Sequence, residues 1–315
     1  MAVTPPLSFT WAEVVDRLVA ERGSLAEVVR VVYDRAPGEL PSDPSTVERG
    51  LRRLRQRGAQ SGERYGRLLL RTFGLPASIA AWAQALGTYH GPLNDLPLAN
   101  RRELLELWDR PPLAESDHAV WIHLALASVA HHDGRLDDAD RRLELAALGM
   151  GRAGPAARLE WALFSARRLA HQRRIPEAIA RLENVEETID EVEEPDGSCY
   201  RARWLDQRAY LAARGWRTHP QALERSAAFR EAIPDGPHSF VAFRRHLGLA
   251  WIRWRQGSKE LAVDHGQRAL SIAGDAGRLR LRATALRLLA RLIPERRRTL
   301  DARAQAILEQ LDGRS

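Results

Sequence analysis

What this chain lacks narrows its chemistry first. A single cysteine, Cys199, excludes an intrachain disulfide and a cysteine-built zinc site, which fits a reducing compartment. No apolar run approaches the ~18 residues that a membrane span needs, and the opening MAVTPPLSFT has neither a basic nor an apolar leader segment. The expectation is a cytoplasmic protein with no membrane partner. Alternating β-branched runs are missing too, while almost every segment has helical period, so the class expected is all-α. There is no G-x-S-x-G elbow, no H-E-x-x-H, and no phosphate loop around the only lysine, Lys259. No catalytic residue, metal or cofactor is therefore expected, and the protein is read as a binding protein rather than an enzyme.

What is present is arginine: 47 of the 48 basic residues in a chain of 315 with a formal charge of +7. A GC-rich genome produces that ratio, so the count alone says little about nucleic acid, although a basic face attracts phosphate whatever its origin. The distribution says more. From Phe240 to the end there are 16 basic and 7 acidic residues, so the excess sits in the last quarter.

The first region reads as three helices: SFTWAEVVDRLVAERG with a cap at Ser8 or Thr10, SLAEVVRVVYDRA after Gly23, and DPSTVERGLRRLRQRG at residues 43–58. In the third, Asp43 or Ser45 can cap, and Ser45 with Glu48 has the S-x-x-E spacing of a capping box. Val47, Leu51 and Leu54 form an apolar stripe, and Arg49, Arg53 and Arg57 a basic one, flanked by Arg52 and Arg55. A helix that reads DNA needs this division, with small polar residues at its N-terminus near phosphate or base edges and arginines reaching guanine or the backbone. Thr46, Arg49, Arg52 and Arg53 are the candidate DNA contacts. The region resembles a helix-turn-helix or winged-helix module, and AQSGERYGRLLLRTFGLP, either a short β-hairpin or one more helix, stands where a wing would be. This module is taken as residues 1–76, and the remainder as 77–315.

After Pro76 a repeat rhythm takes over. Ala139, Ala178, Ala222 and Ala262 recur near the start of the second helix of successive units, 39 to 44 residues apart, and a further step of 40 lands on Ala99 and Ala302. With Leu126, Ala127, Leu143 and Ala146 in one unit and Leu249, Ala250, Gly257 and Ala269 in another, these units resemble tetratricopeptide (TPR) repeats. The resemblance implies a right-handed TPR-like α-solenoid of about six helical hairpins, in which small residues sit where paired helices cross. It also implies a peptide- or protein-binding groove lined by Trp121, Arg167, Arg208, Arg244, Trp251, Trp254, Arg255 and Arg287, with His131, His171, Trp204 and Arg291 beside them. Such a lining would take carboxylate-bearing peptides through charge-assisted hydrogen bonds and cation–π contacts.

Three other features read as structural. GMGRAG, Gly149 to Gly154, matches G-x-G-x-x-G but follows a helix and runs into Pro155, so it is a turn. His131 and His132 with Asp133 have no third ligand at metal spacing. The acidic run 183–197 reads as a solvated loop that ends a helix. The whole resembles bacterial helix-turn-helix plus TPR regulators, which implies double-stranded DNA, a captured peptide or protein, and a homodimer. The alternative is a TPR-like adaptor or scaffold that binds no nucleic acid.

Overall fold

A computed structural model describes residues 9–36, 38, 40–214, 219 and 221–312, and among these it holds seventeen α-helices and no strand. The chain divides into two compact units, residues 1–89 with 100–153, and residues 90–99 with 154–315.

The first unit contains α1 (Trp11–Arg22), α2 (Leu25–Arg35), α3 (Pro44–Arg55), α4 (Glu63–Phe73), α5 (Ala77–Gly87), most of α6 (Leu98–Trp108), α7 (Ala119–His132) and α8 (Leu136–Leu148). Thr10 caps α1: its N–H donates to Glu13 Oε2 at 2.7 Å, closing a capping box. Ser8 lies outside the described residues. Ser24 caps α2 by accepting from the Glu27 N–H at 3.1 Å. Helices α1 to α4 pack on one another, and Trp11 is the anchor, fully buried with its indole N–H donating to the Gln60 carbonyl at 2.9 Å.

The stretch after Gly58 is α4, not a β-hairpin, so the wing of a winged helix is absent from it. Gly62 and Gly66 suggest breaks on period alone, but they are where the Trp11 ring lies. A Cβ at Gly62 would sit 2.2 Å from that ring and one at Gly66 2.7 Å. Only glycine permits this approach, and Leu68 and Leu69 of α4 are buried on the same closure.

The second unit contains α9 (Pro155–His171), α10 (Ile175–Glu183), α11 (Val185–Ile189), α12 (Asp196–Ala212), α13 (Gln221–Glu231), α14 (Ser239–Arg255), α15 (Lys259–Asp275), α16 (Leu279–Leu292) and α17 (Arg297–Asp312). Consecutive helices pack as pairs, α9 with α10, α12 with α13, α14 with α15 and α16 with α17, as do α7 and α8 in the first unit. Ala139, Ala178, Ala222 and Ala262 each fall in the second helix of a pair and are fully buried, because a larger side chain would hold the pair apart. The extrapolated positions differ: Ala99 and Ala302 are helical but exposed, and Ala304 is the buried alanine of α17. The acidic run is not all loop either. Val185 and Ile189 are buried on α11, so apolar burial holds part of it in a helix while Glu186, Glu187 and Asp190 face water.

Segment 90–99 is bound into the second unit by polar contacts. Arg278 donates to the His90 and Gly91 carbonyls, both at 2.9 Å, and pairs with Asp95 at 2.7 Å. The Arg280 N–H donates to Asp95 Oδ1 at 3.0 Å. The buried His90 ring meets Asp196 at 3.0 Å and lies edge-on to Tyr200. Beneath it, Arg203 grips Glu160 with two bonds of 2.5 and 2.8 Å, both side chains buried.

Candidate basic face on α3 and α4

Asp43 caps α3. Its carboxylate accepts from the Ser45 N–H at 2.9 Å, the Ser45 hydroxyl at 2.5 Å and the Thr46 hydroxyl at 3.1 Å. Pro44 follows at the first helical position, where a missing N–H costs nothing. Ser45 is thus inside the helix, and the Ser45–Glu48 box does not form. Glu48 pairs with Arg52 instead, at 2.5 Å. The Ser45 hydroxyl and N–H, helped by the Thr46 hydroxyl and the charge of Arg49, hold the Asp43 carboxyl below the usual carboxylate range. A carboxylate of the chain therefore already occupies the positive end of the helix, and Thr46, expected at a phosphate or base edge, gives its hydroxyl proton to it.

The rest of α3 follows the two stripes. Val47, Leu51 and Leu54 are buried, each contributing about 1.5–3 kcal/mol. Arg49, Arg52, Arg53 and Arg55 are exposed on the other side, and Arg57 is half-buried. Their partners are few and exposed. Arg55 reaches Asp16 at 2.8 Å, and Arg49 meets the Thr46 hydroxyl oxygen at 3.1 Å and Asp43 only at 3.9 Å. Arg57 is the best held, by Glu63 at 2.7 Å and the Ser61 carbonyl at 2.8 Å, and its hydrogen bond keeps the Glu63 carboxyl low. Arg53 meets no acceptor among the described residues. Exposed pairs of this kind contribute at most ~1 kcal/mol, so they neutralise the face only weakly.

Helix α4 adds three exposed arginines, Arg64, Arg67 and Arg71, while its Leu68 and Leu69 are buried. Sequence reasoning does not select these three; the signal is there in their spacing of 3 and 4 residues, once the segment is known to be helical. Between residues 49 and 71 eight arginines face one acidic residue, Glu63.

A cavity of about 320 Å³ opens between α3 and α4, with Thr46, Arg49, Arg53 and Arg57 on one side and Glu63 and Tyr65 on the other. Its floor is the Tyr65 ring laid on Gly50, where a Cβ would stand 2.3 Å from a ring carbon. Arg52 and Arg55 lie outside the cavity.

The residues expected in a groove are placed differently from one another. In the first unit Trp121 is buried, its ring so close to Gly87 that a Cβ there would sit 2.6 Å away; its area is committed to packing. In the second unit Trp204 is buried with its indole N–H on the Leu182 carbonyl at 3.1 Å. Arg208 lies between the Trp204 and Phe229 rings, 4.7 and 4.4 Å from their centroids. Arg244 pairs with Asp206 at 3.1 Å. Trp251 and Trp254 pack on the core cluster that α14 shares with α15, α16 and α17, and Arg255 stacks on both, at 5.3 and 4.3 Å. Arg167 is half-buried, and Arg287 and Arg291 are exposed. Compared with known proteins, the chain matches no family model, no curated protein and no solved structure.

Proposed function

We propose that the α3–α4 face binds the phosphate backbone of double-stranded DNA, as the contact surface of a regulator whose second unit takes a peptide or protein. The eight arginines against one glutamate between residues 49 and 71, all but Arg57 exposed, carry this reading. Each phosphate that such a face neutralises releases condensed counterions, so affinity falls with salt. The TPR-like, solenoid part of the reading draws support from the buried alanines at the starts of second helices.

The test is fluorescence anisotropy of a labelled duplex with the full chain between about 50 and 200 mM salt, the range over which phosphate neutralisation is read. A steep fall in affinity is expected, with the slope reduced by about 0.9 for each phosphate that a variant no longer neutralises. Arg49→Ala with Arg53→Ala should weaken binding to every sequence. Absence of binding at the low-salt end would sink the proposal and leave the adaptor reading. That second reading has its own observation: Leu145 and Leu148 are exposed one turn apart on α8, Leu148 at 84%, an apolar pair suited to a protein contact.

A further inference from the structure

We infer that the cavity between α3 and α4 is a phosphate seat centred on Arg53. The inference rests on the phosphate-binding reading of this face and narrows it from a surface to a site.

Three observations converge. First, Arg49 and Arg53 are one helical turn apart on α3 and Arg57 follows in the turn after it, all three lining the cavity, so their guanidinium groups can converge on a single anion. Arg57 is fixed by Glu63 and the Ser61 carbonyl, Arg49 is loosely held, and Arg53 has no acceptor among the described residues. With Glu63 as the only carboxylate on the wall, the cavity stays net positive. Second, the α3 N-terminus is closed to an outside anion because Asp43 fills it, so an incoming phosphate is directed one turn further along, to the arginines. Third, the space is about ten times the ~30 Å³ share of one water. That is more than a phosphate alone requires, and it lies at the small end of the range for ligand sites.

The ligand chemistry is thus a phosphate group with an organic substituent. Two sources offer it, a nucleotide within a nucleic-acid strand and a free mononucleotide. The first follows from the seat lying within a wider basic face, where Arg64, Arg67 and Arg71 would contact neighbouring phosphates.

The experiment uses the full chain, a fluorescein-labelled duplex of about two helical turns and adenosine monophosphate. It compares Arg53→Gln and Arg49→Gln inside the cavity with Arg55→Gln outside it, each removing one positive charge. All three side chains are exposed, and unchanged melting temperatures will confirm folding. If the seat exists, Arg53→Gln weakens duplex binding roughly tenfold or more, and Arg55→Gln only about twofold. Adenosine monophosphate should displace the duplex from the unmodified chain and not from Arg53→Gln. Equal losses for all three variants, with duplex binding intact in the unmodified chain, would overturn the seat and spare the backbone reading. If the chain binds no duplex but binds the mononucleotide through Arg53, the seat stands, its ligand is the free nucleotide, and the DNA reading falls. Binding of neither removes both.

Discussion

Arg53 in the first unit and Arg203 in the second carry the same charge in opposite surroundings. Arg203 is buried and bonded twice to a buried Glu160, while Arg53 stands in water with no acceptor among the described residues. The contrast extends to their neighbours. Asp206 pairs with both Arg230 and Arg244, and Arg278 holds Asp95 and two carbonyls, whereas the arginines of α3 and α4 are all exposed. A buried cation must be matched or the fold loses several kcal/mol, and a hydrated one need not be. Charge that is spent inside the fold is unavailable to a ligand. The arginine count of the chain hides this difference, and only burial and pairing reveal it.

The comparison can be broken most readily at Asp206. Burial and the nearby Arg244 push the Arg230 guanidinium down to about 9, which leaves it charged at neutral pH and dependent on its carboxylate. Asp206→Ala removes the carboxylate that Arg244 and the buried Arg230 share and should cost about 3–5 kcal/mol, measured by urea denaturation. A loss near zero would mean that the second unit does not need its pairs. Gly50→Ala tests the scaffold of the exposed arginines. Its methyl group would meet the Tyr65 ring, so a loss of about 1–3 kcal/mol is expected together with weaker duplex binding.

Acidification should weaken both units, because burial lowers the pKa values of His118 and His123 in the first as well; in the second the effect is read at one pair. His246 and His265 face each other through Nδ1 atoms 3.0 Å apart. Burial lowers both pKa values below 6.5, and a charge on His246 further opposes the proton on His265. The unfolded chain therefore binds these protons more readily than the fold. Stability is complete above about pH 6.5 and declines below it as the rings are forced to charge. Melting temperatures taken from about one pH unit above that value to about one below should show the decline, and His265→Gln should flatten part of it. The smallest effect belongs to the exposed set: Arg53→Ala should change stability by less than about 0.5 kcal/mol, whatever it does to binding.

Much of the site was legible because α3 is specified locally. Its two stripes follow from the helical period, and Val47, Leu51 and Leu54 are the buried ones. The cap was legible only as a choice between Asp43 and Ser45; Pro44 settles it by taking the first helical position, with Asp43 just before it. Helix α4 is not legible locally because its glycines answer to Trp11, some fifty residues earlier in sequence, and local propensity carries no such information. The alanine periodicity marked the crossing points of four helix pairs, yet it ran on to Ala99 and Ala302, where no pair crosses on those residues. Tryptophan was the least legible type. The same helical spacing describes Trp121, sunk against Gly87, and Trp254, stacked under Arg255 at the edge of its cluster.

Segment 90–99 gives the chain an unusual path, since it belongs to the second unit while the residues on either side belong to the first. Neither unit is one continuous stretch of sequence. A cut before Gly154 would leave Arg278 and Arg280 facing the space where Asp95 and the His90 and Gly91 carbonyls now stand. No single recombination joint therefore separates the two units with both intact.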